Sequence, residues 1–168
     1  MKTVIKSILL ILVLSISYLQ LNATNKKNQN MPLKTNESTF LESESKYNFT
    51  ETVEKLTAEI EKNTWKLSVV HDLQETLKKN GSEVLPIKVF ALCHPKYSSK
   101  ILSRDEERIV STLMPCRISV YEKSNGKTYI SRMNTGSLAK TFGGIIEEVM
   151  TASSKDVEII IGNLIITD

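Results

Sequence analysis

The spacing of apolar residues changes several times along the chain, and each change predicts an element. Val53, Leu56 and Ile60 recur at helical spacing. Thr50 precedes them as an N-cap, and Glu51 and Glu54 sit in the first turn, where negative charge suits the helix dipole. "KYNF", from Lys46 to Phe49, predicts a short strand before this helix, and "NTW" ends it. "WKLSVVHDL", Trp65 to Leu73, is β-rich and partly alternating. "LQETLKKNG" predicts a short helix or turn closed by Asn80-Gly81. "VLPIKVFALC" predicts a second strand, central by its length and bulk, with Pro86 at its start because proline cannot donate to a ladder. Proline is favoured at the first position of a helix, so a helix is expected from Pro95. "DEERIVSTLM", from Asp105, predicts another, with "DEER" as its solvated face.

Two alternating runs, "CRISVYEK" and "KTYISRM", flank Ser124-Asn125-Gly126. They predict a hairpin with a tight primed turn. Leu138, Phe142, Ile145, Ile146, Val149 and Met150 predict an amphipathic helix. Gly143-Gly144 weakens that helix and allows close packing on the sheet. The apolar tail over residues 155–168 predicts an added strand or hairpin. No internal repeat is visible. The expected class is α+β: a mainly antiparallel sheet of about four to five strands with helices packed on one face.

The first residues follow a different pattern. Lys2 and Lys6 precede the apolar run Ile8 to Leu14, and the segment ends in small Ala23. That is the pattern of a secretory signal peptide over residues 1–23, cleaved after Ala23. The run falls short of the roughly 20 apolar residues of a membrane span, and Ser15, Ser17 and Gln20 break it. Export to the periplasm or the medium is expected, with an uncleaved N-terminal anchor as the alternative and no membrane span after cleavage. Residues 24–45 are polar, and such composition predicts a flexible spacer. A single domain over residues 46–154 remains. Without Lys2 and Lys6, basic residues exceed the 19 acidic ones by one. No clustered basic face is present, which excludes nucleic acid as the expected partner.

"FALCHPKYSSKIL", "LMPCRISVYEKSNGKTYISRMN" and, upstream, "VVHDLQETLKKNG" together resemble the bacterial family of domain of unknown function 302, across residues 46–154. The matching features are Cys-x-Pro after a strand, Pro-Cys-Arg opening the next, and the His-Asp-Leu segment. The resemblance implies a β-α-β4-α order similar to one half of the TATA-binding-protein fold, commonly paired as a homodimer. It implies no activity. Family members more often carry Cys-Asn-Pro, whereas this chain has Cys93-His94-Pro95, so His94 inherits no role.

Candidate chemistry centres on Cys93 and Cys116, the two cysteines of the chain. An oxidising compartment allows them a single pairing. Antiparallel order would place the end of one strand beside the start of the next and bring the sulfurs close. A static Cys93–Cys116 disulfide would stabilise by about 3 kcal/mol in the chain-entropy account. Inert buried thiols are the second alternative. The third is a reactive pair or soft-metal site, because Cys93 precedes a helix N-terminus that favours thiolate. His94 and Arg117 add donors or positive charge there. Two thiolates and an imidazole suit Cu(I), zinc or haem iron, with Cys93, Cys116, His71 and His94 as candidate ligands. No CxxC or HxxxH pair accompanies them, and no cofactor is required by the sequence.

His71-Asp72 is a turn-capping pair or, near the cysteines, half of a Cys-His dyad. Lys96, Tyr97 and Arg117 line an anionic pocket at the helix end or are solvated. Trp65, the single tryptophan, is expected in the core. No phosphate loop, G-x-S-x-G elbow or paired-carboxylate signature occurs, so a conventional enzyme is not expected. The sequence reading is a dimeric ligand-binding or thiol-redox and metal-handling module, with ligand contacts at Cys93, His94, Lys96, Cys116 and Arg117. The alternatives are a structural or interaction domain with the static disulfide, and a thiol-dependent enzyme using Cys93, Cys116 or His71.

Overall fold

A computed structural model of the protein describes residues 38–167. Five strands form one sheet: β1 (Phe40–Glu44), β2 (Lys66–Asp72), β3 (Ile87–Cys93), β4 (Cys116–Glu122) and β5 (Thr128–Met133). Their order is β1-β5-β4-β3-β2, and every neighbouring pair is antiparallel. The helices are α1 (Phe49–Lys62), α2 (Leu73–Lys79), α3 (Pro95–Leu102), a 3-10 segment (Glu106–Leu113), α4 (Thr135–Ala139) and α5 (Gly144–Gly162). The expected α+β class is the observed one.

One face of the sheet carries the core. Leu56 and Ile60 of α1, with Val157, Ile160 and Ile161 of α5, pack on Phe90, Leu92, Ile118, Val120 and Ile130. A smaller cluster of Ile101, Val110 and Val149 fills the space under α3. Strand alternation sends the other residues to a second face. Cross-strand rows there run His71, Val89, Ser119, Ser131, Glu42 and, one row over, Ala91 beside Arg117 with Met133 beside Phe40.

Several elements differ from expectation. "KYNF" is not a strand, because Phe49 already belongs to α1. Asn48, not Thr50, caps this helix, its side chain accepting from the Glu51 N–H at 3.0 Å. The first strand lies upstream, at Phe40–Glu44, inside the segment read as spacer. Its polar residues are held by partners distant in sequence. Glu42 accepts from the Tyr121 hydroxyl and from Lys123 Nζ at 2.6 Å. Glu44 accepts from Lys127 Nζ at 2.9 Å. The Lys123 and Tyr121 bonds hold the Glu42 carboxyl below its usual range. Burial, then the bond to Glu42, pushes Tyr121 up to about 12. The leader over residues 1–23 and the spacer up to residue 37 lie outside the described residues.

The C-terminal segment also differs. The helix expected from Leu138 is two helices, because Gly143 and Gly144 both take positive φ, 70° and 56°. Such backbone is cheap only for glycine. α5 then runs through residue 162, so most of the tail is helix rather than strand. Beyond it, Ile165 bridges Ser45, and Lys46 donates to the Leu164 carbonyl at 2.8 Å. The hairpin is present, but its turn is not a two-residue primed one. Lys123 N–H bonds Lys127 O at 3.0 Å across three residues, and only Gly126 of the three has positive φ, 74°. A three-residue loop closed by left-handed glycine needs no strain at Asn125. "VLPIKVFALC" forms β3, which is internal but one strand from the edge, beside β2. No helix of the described residues is long and apolar enough to cross a membrane.

Candidate functional site

Both cysteines lie at the end of the sheet where β3 finishes and β4 begins. They line one inner cavity of about 50 Å³, with Trp65, His94, Tyr97, Met114 and Met150 among its walls. Its lining is mostly apolar. A second, outer cavity of about 310 Å³ opens beside it. The two share Leu113, Pro115, Cys116 and Thr135.

Cys93 and Cys116 are free thiols, each half-buried. The expected static disulfide is therefore not formed. Register supplies the reason: Cys116 stands opposite Leu92, while Cys93 stands opposite Lys66 on the other neighbour. The thiols are neighbours, one position out of step. Burial, and secondarily the negative charge that Cys93 would carry, pushes the Cys116 thiol up to about 11. Cys116 is thus protonated at neutral pH, the opposite of an activated nucleophile.

His94 is the N-cap of α3. Its Nδ1 accepts from the Lys96 N–H at 3.2 Å, which places the ring proton on Nε2, 3.4 Å from the Thr64 hydroxyl. The ring also packs edge-on against Trp65 at 5.6 Å and Tyr97 at 5.2 Å. Thr64 itself ends α1 at φ 62°, unusual for a β-branched residue. Nδ1 thus caps α3, and Nε2 links it to the turn that follows α1. His94→Ala is expected to cost about 1 kcal/mol of stability and His94→Asn a few tenths at most, because asparagine is a strong N-cap. Urea unfolding of the two variants checks this.

The remaining candidates do not converge. His71 pairs with Val89 and is exposed. It lies five residues along β2 from Lys66, the partner of Cys93, about 16 Å at strand rise. A dyad of His71 with either cysteine is excluded by that register. Lys96 is exposed, its ammonium 5.7 Å from the Tyr97 ring centre. The Tyr97 hydroxyl donates to Asp156 Oδ2 at 2.7 Å, which with burial raises its pKa. Arg117 lines the outer cavity instead. The anionic pocket expected from Lys96, Tyr97 and Arg117 is therefore not assembled. Among the described residues, no group of three or more His, Cys, Asp or Glu side chains could hold a metal ion. The four expected ligands, Cys93, Cys116, His71 and His94, do not form one.

Trp65 is buried, as expected, but its indole Nε1 has no hydrogen-bond partner. Leaving a buried donor unpaired costs roughly 1–3 kcal/mol. Sequence reading assigned Trp65 only to the core, and nothing local to "NTWKL" signals an unpaired donor. The sequence marks Met150 only as part of an apolar helix face, and nothing in it marks Met114, which stands two residues before Cys116.

Fold and cavity define an α+β domain in which two free thiols line one cavity, with Trp65 in its wall, at one end of a single antiparallel sheet. The sequence model of the family described as domain of unknown function DUF302 matches residues 41–164, and the chain belongs to that family. Its fold is similar to the crystal structure of an uncharacterized conserved DUF302 protein from Bacillus stearothermophilus. That similarity has a TM-score of 0.67 at 19% identity, covering 75% of this chain and 98% of the other. No curated protein matches the chain.

Proposed function

We propose that the protein is an exported ligand-binding module, acting as a homodimer, that takes a small molecule into the inner cavity between Cys93, Cys116 and Trp65. The unpaired Trp65 indole N–H carries this reading. A buried donor beside an apolar cavity is stabilised by a compact apolar ligand bearing one acceptor atom. Binding is favoured over thiol chemistry because the Cys116 thiol stays protonated and the nearest imidazole is committed to a helix cap. Export rests on the leader pattern of residues 1–23. Homodimerisation rests on the family resemblance and on the exposed Leu73, Leu77 and Leu85 near the edge strand β2; sedimentation velocity checks it.

Because Trp65 is the single tryptophan, its indole N–H gives one resolved proton–nitrogen resonance. Titration with dimethyl sulfoxide, a compact acceptor flanked by methyl groups, is expected to move that resonance along a saturating curve. A linear drift equal to that of free tryptophan would count against the cavity as a binding site.

A further inference from the structure

The outer cavity has a chemistry of its own. It opens at the end of the sheet where β4 begins, and Val157 of α5 and Cys116 of β4 are among its walls. Phe40, Val89, Leu113 and Met133 supply apolar walls. Ser119 and Ser131, directly paired across β4 and β5, supply hydroxyls, as do Thr112 and Thr135. Two cations line it, Arg117 and Arg132, and no acidic side chain does. The two arginines are not equivalent. Arg132 is neutralised by Glu158, with Nη2 to Oε2 at 2.5 Å. On the same sheet, Lys88 meets Asp72 and Lys123 meets Glu42. The Arg117 guanidinium has neither an ion pair nor a hydrogen bond among the described residues.

We infer that the outer cavity binds a small amphipathic carboxylate, its head on the Arg117 guanidinium and the Ser119 and Ser131 hydroxyls, its apolar body along Phe40, Val89 and Met133. An unpaired guanidinium with no competing acid favours an anion, and its planar fork matches a carboxylate. The apolar wall of Phe40, Val89, Leu113 and Met133 disfavours a fully hydrated inorganic anion. The size suits a ligand at the lower end of the small-molecule range, which begins at about 300 Å³.

Octanoate, octanol and inorganic phosphate serve as probes, read by calorimetry and by proton–nitrogen spectra of the purified protein. Octanoate is expected to bind and to shift the Ser119 and Ser131 amides. Octanol and phosphate are expected to bind at least about tenfold more weakly, since each lacks one half of the match. Arg117→Gln should lose about 10- to 100-fold in octanoate affinity, and Arg117→Lys should recover part of it. Arg117 is exposed, so both variants should fold, which circular dichroism verifies. Unchanged octanoate binding in Arg117→Gln, phosphate binding as tight as octanoate, or no octanoate binding at millimolar concentration would each overturn the inference. Trp65→Phe removes the inner-cavity donor and is expected to leave octanoate affinity unchanged. Its loss in Trp65→Phe alone would place the carboxylate in the inner cavity and sink the separate site.

Discussion

Cys116 is expected to react with iodoacetamide at pH 8 on the order of 100-fold more slowly than an exposed cysteine. The thiolate is the reacting species, so the rate follows the ionised fraction. An ordinary thiol ionises near 8.5 and is about one quarter thiolate at pH 8. Burial and the neighbouring Cys93 push Cys116 up to about 11, which leaves about one part in a thousand ionised. The rate should rise about tenfold per pH unit up to about pH 10 and level off above about pH 11. Mass spectrometry of time-stopped samples separates the two cysteines. Fast labelling of Cys116 at neutral pH would remove the argument for binding over thiol chemistry and revive a reactive thiol pair. Absence of free thiols in the purified protein would restore the static disulfide as the structural reading.

The second large effect concerns one ion pair and is asymmetric. Glu158→Ala is expected to cost about 3 kcal/mol, and Arg132→Met about 1 kcal/mol or less. Arg132 lies on the core face of β5 and is 8% exposed, while Glu158 on α5 is 41% exposed. Their contact is bidentate, with Nε to Oε1 at 2.9 Å and Nη2 to Oε2 at 2.5 Å. Removing the glutamate leaves a buried guanidinium with Ser43 Oγ, at 2.9 Å, as its remaining partner. Removing the arginine leaves a carboxylate that reaches water, and methionine refills most of the space. Urea titrations of both variants test this through the difference in midpoint at constant slope. Equal costs would show that the pair acts as a surface salt bridge instead.

Neither ion-pair member was marked by its neighbours in sequence. "SRM" and "DVEI" look like any strand and helix surface, and they meet only because α5 crosses the core face of β5. The edge strand β1 was hidden for the same reason. "FLESE" has poor strand composition, and its support comes from Tyr121, Lys123 and Lys127 on a distant hairpin. Elements that depend on their own residues were legible: the β4–β5 hairpin, the Asp72-capped α2 and the helix starting at Pro95. Where local reading failed locally, backbone conformation decided, as at Gly143-Gly144, where two positive φ values split a helix whose side-chain pattern is continuous.

The candidate site divides along the same line. The sequence by itself determined that Cys93 would end a strand at a helix start, that Cys116 would open the next strand, and that the two would meet at one end of an antiparallel sheet. Those outcomes follow from solvation and dihedral preferences that act within a few residues. Only the tertiary structure decided that the thiols are unbridged, that His71 stands at the far end of β2, that Trp65 has an unpaired N–H, and that Arg117 faces a different cavity from Cys93. Each of these depends on strand register, and a shift of one residue would turn every side chain to the other face. Register is set by the summed packing of α1 and α5 on the whole sheet, a quantity no short stretch of sequence contains.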